Sequence, residues 1–348
     1  MIRLSVLDQS PIRAGGTPAQ AIAETVRLAE ACERLGYHRY WLAEHHASEG
    51  LAGTAPQVLI ARVAAATREM RVGSGGVMLA HYSPLKVAEE FRVLEALYPG
   101  RIDLGIGRAP GSDYRTSVAL QAGPQPFGIE QFPNQVQDLL GYLADALPQN
   151  HPFAGIRAQP QGDTVPEPWL LGSSDASAAI AAYFGTAFSF AHFITDAGGP
   201  QIMAAYRQHF RPSRWRAAPE GSIGVFVICA ATEAEANRLA LSRDLSRLRL
   251  EQGRLGPVPS VEEAEAYAYT DDERARIALN RRRQVVGTPE QAKARLLEYG
   301  AIYGVEEFVV VTITHDFAAR LRSYELLAEA FALQPRSAWA AAAPPSGG

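Results

Sequence analysis

Cysteine is scarce: Cys32 lies in a helical pattern, Cys229 in an apolar strand-like run, and neither has a partner at Cys-x-x-Cys spacing. That excludes a disulfide framework, a thiolate zinc site and a dithiol redox centre, and two buried free thiols are expected. Lysine is scarcer still in proportion, occurring only at 86 and 293, so the bases are almost all arginine. The 33 bases and 37 acids are interspersed to a net charge of -4, and no basic block is available to neutralise a run of phosphates. Nucleic acid is therefore not an expected partner. No window approaches the roughly 20 apolar residues of a membrane span, and the first residues read as a strand rather than a leader, so a cytoplasmic protein without membrane contact is expected.

Nucleotide-binding and hydrolase motifs are missing as well. The run Gly105-Ile106-Gly107-Arg108-Ala109-Pro110-Gly111 imitates Gly-x-Gly-x-x-Gly. Its third glycine comes one residue late, Pro110 breaks the turn, and no acid follows a second strand at the required distance. Neither a P-loop nor a Gly-x-Ser-x-Gly elbow occurs, which excludes those two mechanisms.

What is present is a balance of 47% apolar and 20% charged residues, enough for a large buried core. Short β-rich runs alternate with longer helical patterns from the first residues to about 330. The strand candidates are Leu4 to Asp8, Tyr40 to Ala43, Val72 to Leu79, Ile102 to Ile106, Trp169 to Leu171, Ala187 to Ala191, Ile223 to Cys229 and Phe308 to Ile313. Helix starts are signalled at Thr17-Pro18-Ala19-Gln20, Ser83-Pro84 and Thr288-Pro289-Glu290-Gln291, where a hydroxyl can cap, Pro suits the first helical position, and the two Gln can complete capping boxes. Eight βα units predict an α/β fold, a (β/α)8 TIM barrel over 1–335, with an insertion after strand seven spanning about Leu245 to Val285. The insertion is weakly periodic and is expected to lie over the barrel's top. Gln149 to Glu167, rich in Pro and Gly, reads as a loop. The small-residue tail, 336–348, is expected to be disordered.

In such a barrel the site is built at the C-terminal ends of the strands. Glu44-His45-His46 follows the second strand candidate, Gly73-Ser74-Gly75-Gly76 lies in the third, Gly107-Arg108 follows the fourth, and Gly172-Ser173-Ser174-Asp175-Ala176-Ser177 follows the fifth. His45 is the candidate for proton chemistry, because imidazole titrates near neutral pH and a strand end exposes it to a ligand. A metal is not expected: adjacent histidines on an extended chain project to opposite sides, and no second ligand cluster follows. His46 reads as structural. Gly172, Ser173, Ser174 and Ser177 precede or open a helix whose first N–H groups are free, and Arg108 adds a cationic fork. Each alone reads as a cap or a surface ion pair, but together they suggest a cofactor phosphate site.

Tyr40-Trp41-Leu42-Ala43-Glu44-His45-His46 followed by Gly100-Arg101-Ile102-Asp103-Leu104-Gly105-Ile106-Gly107-Arg108 resembles the luciferase-like monooxygenase family, and the likeness runs from residue 2 to about 330. The resemblance implies a (β/α)8 barrel, often dimeric, that uses reduced FMN or the deazaflavin coenzyme F420. It implies that His45 stands beside the flavin and that Gly75 and Gly76 form a non-prolyl cis peptide under the ring. It further implies phosphate contacts from Arg108, Ser173, Ser174 and Ser177, with Gly107 and Gly172 in the same strand-end loops. The luciferases themselves carry an acid at the position of Ser173 and a Cys at that of Gly107, so light emission is not implied. A monooxygenase acting on a small organic substrate with oxygen is the leading expectation, its reduced FMN supplied by a separate flavin reductase. An F420-dependent dehydrogenase and a non-catalytic flavin-binding subunit are the alternatives. A homodimer is expected from the family.

Overall fold

The helix-start signals translate directly into local structure. In the computed structural model, which describes residues 2–108, 113–121 and 129–336, β1 (Arg3–Asp8) leads into α1 (Pro18–Arg34), where Thr17 and Gln20 close a reciprocal capping box. β2 (Arg39–Leu42), α2 (Pro56–Ala66), β3 (Arg71–Ser74), β4 (Val77–Met78) and α3 (Pro84–Leu97) follow. Ser83 takes the N-cap position of α3 but makes no side-chain cap bond. Next come β5 (Ile102–Gly107), α4 (Tyr114–Leu120), α5 (Phe132–Ala144), β6 (Glu167–Gly172), α6 (Asp175–Phe184), β7 (Ala187–Phe190), α7 (Gly199–His209) and β8 (Gly221–Cys229). The chain continues through α8 (Glu233–Glu251), α9 (Val261–Ala266), α10 (Asp271–Arg281), β9 (Gln284–Gly287), α11 (Pro289–Tyr303), β10 (Glu307–Val311) and α12 (Phe317–Phe331).

All pairings are parallel, in the order β10-β1-β2-β3-β5-β6-β7-β8, and β8 pairs back onto β10. The ring is a closed (β/α)8 barrel with its helices outside. Period-two alternation sorts the side chains. Leu4 and Val6, or Tyr40 and Leu42, face the helices, while Leu7, Trp41, Trp169, Val309 and Val311 fill the barrel interior. Trp41 and Trp169 meet edge to face at 5.2 Å there. Cys32 and Cys229 are both buried and free.

Two expectations need correction. The third strand is not continuous from Val72 to Leu79. A cis peptide at Gly75-Gly76 divides it into β3 and β4, both of which pair with β5. The insertion after the seventh barrel strand is present, and its weakly periodic sequence nonetheless forms regular elements. It holds the end of α8, then α9 and α10, and β9, which pairs with β8 from Phe226↔Gln284 to Cys229↔Gly287 outside the ring. Its segment around Val258 bonds back to the loop after β1, through Val258 N to Ile12 O and Ala14 N to Val258 O, both 2.8 Å. The tail expected to be disordered lies outside the described residues from 337 on, as do 109–112 of the glycine-rich run.

Candidate active site

Glu44, the second residue after β2, is fully buried, and its carboxylate accepts from Tyr82 Oη (2.6 Å), His46 Nε2 (2.7 Å) and the Met78 N–H (3.0 Å). Those bonds tie the end of β2 to β4 and the turn after it. They also occupy the Nε2 of His46. His45 is held only by its main chain, whose N–H donates to Gly53 O at 2.9 Å. Its Nδ1 is buried and has no hydrogen-bond partner. Burial, reinforced by the neighbouring His46, lowers its pKa to about 4, so the ring is neutral at physiological pH. Both histidines are among the residues that line one cavity.

Glycine is required where β3 and β5 approach. A Cβ on Gly76 would lie 2.7 Å from Gly105 O and 2.8 Å from Leu171 Cδ1, and one on Gly105 would lie 2.1 Å from Ser74 O. Gly75 is closed in by Leu7 and Trp41 of the barrel interior. Gly107 is less constrained, since a Cβ there meets only the flexible Met78 sulfur, at 3.1 Å.

The cation and the hydroxyls are brought together. Arg108 Nη2 donates to Ser174 Oγ at 3.0 Å, and Ser174 caps α6 by accepting from the Ser177 N–H. Ser174 Oγ and Ser177 Oγ are 3.3 Å apart. Gly172 is bare because a Cβ there would meet Ser177 Oγ at 2.4 Å. Capping and cation binding therefore coexist in one serine. Ser173 directly precedes this cap, and the exposed Asp175 places one carboxylate in the same first turn, bonded to the Ala176 N–H.

Over the strand ends lies a cavity of about 500 Å³ that His45 and His46 share with Phe193, Phe226, Ile313 and residues of α8 and the segment after it. Arg108, Ser173, Ser174 and Ser177 are not among its walls. Sequence reasoning missed the α8 contribution, Arg243, Ser246, Arg247 and Leu250, together with Arg254. The available signal was their spacing of three, four, seven and eleven residues from Arg243, which places them on one helix face and its continuation. Among the described residues no group of three or more His, Cys, Asp or Glu is arranged to hold a metal ion.

Residues 2–305 match the family model described as luciferase-like monooxygenase. The chain belongs to the luciferase-like monooxygenase family. Its relatives within the family include the N-acetyl-S-alkylcysteine monooxygenase of Bacillus subtilis (strain 168), 40% identical over 95% of this chain and 98% of that protein. The crystal structure of apo-MsnO8 superposes with a TM-score of 0.89 at 41% identity, covering 97% of this chain and 100% of that one. The oxygenating constituent of 3,6-diketocamphane monooxygenase from Pseudomonas putida, solved in complex with FMN, shares the fold with a TM-score of 0.67 at 18% identity, covering 94% and 97%. For this family member, the cavity above His45 and the Arg108 corner are thus placed on a monooxygenase barrel.

Proposed function

We propose that the protein is a flavin-dependent monooxygenase that takes reduced FMN from a separate flavin reductase and inserts oxygen into a small organic substrate. One observation carries the reading above the others: a buried, neutral imidazole with an unpartnered Nδ1 sits at the end of β2 and lines a cavity large enough for an organic molecule. A buried polar atom without a partner costs free energy, so its retention points to a ligand that completes it.

The residues fit the cofactor. Arg108, Ser173, Ser174 and Ser177 with the first turn of α6 would hold its phosphate, a cation and hydroxyls at a helix start being suited to that charge. The bare backbone at Gly75 and Gly76 is the place the family resemblance assigns to the ring. When bound, reduced flavin supplies the electrons that activate oxygen. The chain's own part is positional and protonic. Glu44 fixes the strand end, the apolar walls exclude water, and the unpartnered His45 Nδ1 is open to exchange a proton with the substrate or its oxygenated form. A homodimer belongs to the same proposal.

The test is anaerobic titration with reduced FMN and with reduced F420, followed by admission of oxygen. Tight FMN binding followed by oxygen consumption supports the reading. Preference for F420 with no oxygen uptake means a dehydrogenase, and binding of neither removes flavin chemistry. His45→Ala is expected to retain FMN binding and lose roughly 10² to 10⁴ in turnover, the range for a general acid or base.

A further inference from the structure

Arg243 is buried, with 8% of its surface exposed, yet it has no carboxylate within ion-pair distance among the described residues, and its Nε has no hydrogen-bond partner. Its guanidinium lies 3.8 Å from the centre of the Phe226 ring, and both residues line the cavity that His45 lines. The adjacent Asp244 attracts it but makes no ion pair with it. Asp244 Oδ2 is taken by Arg281 at 2.7 Å. The other cavity arginines differ. Arg247 pairs with Glu251 at 2.7 Å, and Arg254, bonded to the neutral Gln252, is exposed to solvent rather than buried. Asp113, at the start of α4, is the acid among the cavity walls, and it is exposed and occupied in capping Thr116. Burial, then Arg247, Arg283 and Arg281 around it, bring the Arg243 pKa down to about 10, so the group still carries its charge at neutral pH.

A buried cation without an anion is costly to keep. Polar groups such as Gln9, Ser48 and Ser246 share the walls, but Leu51, Phe193, Leu250, Leu255, Val258 and Ile313 give the cavity an extended apolar surface. One unpartnered guanidinium suits one negative charge, and a planar fork suits a carboxylate. We propose that Arg243 is the substrate-anchoring residue of this cavity and that the substrate is an organic acid whose carboxylate pairs with Arg243 while its apolar body fills the space towards His45. The proposal rests on the reading of this cavity as the substrate site.

Octanoate, octanamide and inorganic phosphate are the probes, titrated calorimetrically into the full chain without flavin. Because no flavin is present, failure of the FMN reading leaves this measurement intact. Octanoate is expected to bind about tenfold or more tightly than octanamide, since only the acid offers a charge-assisted pair. Arg243→Met is expected to remove that preference and to raise Tm, because it deletes a buried cation that has no ion-pair partner among the described residues. Arg243→Lys, which keeps charge but loses the fork, is expected to fall between, and Arg243→Gln supplies the same reading if the Met variant does not fold. Equal binding of octanamide, binding of neither, or displacement of octanoate by phosphate would overturn the assignment. So would a Met variant with lowered Tm and unchanged octanoate affinity, which would make Arg243 a packing partner of Phe226.

Discussion

Burial holds three histidines below the ordinary imidazole value: His38 to about 3, His45 to about 4 and His192 to about 4. Each is neutral in the folded chain and takes up a proton more readily once unfolded, where its pKa is about 6.5. The unfolded state therefore binds more protons below that value, and stability falls with pH through the window from about 6.5 to about 4, and for His38 to about 3. Tm measured by calorimetry is expected to be level between pH 8 and 7 and to decline from 6.5 downward. His192 has a buried Nε2 without a partner and is bonded through Nδ1 to Tyr303 Oη at 2.7 Å. His192→Phe is expected to flatten that decline, whatever it does to Tm at pH 7. A carboxylate such as Asp8 works in a lower window. Burial opposes its ionisation, but Arg320 and the bonds from Tyr40 and Ser10 outweigh it and hold its pKa low, so its contribution is lost only as pH falls below about 4. A decline beginning near 4 rather than 6.5 would remove the histidines from the account. For catalysis the same value places any acid limb due to His45 near pH 4, not near neutrality.

At the scale of elements, the glycines in β5 and in the loop before it separate two uses of the residue. Gly105 has ordinary φ but no room, with Ser74 O 2.1 Å from where a Cβ would stand, whereas Gly100 has φ of 75° and open space around it. Gly105→Ala is expected to lower stability by roughly 3 kcal/mol, because backbone must move. Gly100→Ala is expected to cost about 1 kcal/mol, the left-handed strain alone. Urea unfolding of both variants checks the order, and equal losses would mean that β3 and β5 can part at little cost. The legibility of the sequence follows the same divide. Thr17 and Thr288 announced their helices because capping is local chemistry, and both capping boxes are made. Glu44-His45-His46 and Arg108 were readable because strand ends in a barrel face the site. The break at Gly75-Gly76 was legible only through the family likeness, since strand pattern continues across it. The inward face of α8 was not legible, because Arg243 and Arg247 occupy positions where an apolar stripe would have marked burial. The helix hides its burial by carrying charge into a cavity. β9 was hidden because its four residues are too short a run to show their alternation in the sequence, although burial alternates along it.

Across the whole molecule, the barrel end opposite the site is closed by a network of ion pairs. The N-terminal ends of the strands are closed by alternating charges: Arg39 on Asp103 (2.8 Å) and Glu307 (2.7 Å), Arg71 on Asp103 (2.6 Å), Arg3 on Glu220 (2.8 Å), and Arg216 on Glu167 and Glu220. These residues stand at or just before the starts of β1, β2, β3, β5, β6, β8 and β10, so the pairs stitch the ring where no ligand enters. Arg39 is the centre, 2% exposed, with Asp103 and Glu307 fully buried. Replacing buried pairs wholesale by apolar groups is often neutral, but removing one partner leaves charges uncompensated and costs roughly 3 to 5 kcal/mol. Arg39→Met is expected to lose stability on that scale and to leave octanoate binding at the opposite end unchanged. The double variant Arg39→Met/Glu307→Gln removes one of the stranded charges and is expected to recover part of the loss, which a double-mutant cycle reads as coupling. Because the pair is dry, the cost should change little between low and 0.5 M salt, unlike that of a surface pair. An additive cycle together with a strong salt dependence would mean that water reaches this end, and that the barrel is held by its apolar interior around Trp41 and Trp169 instead.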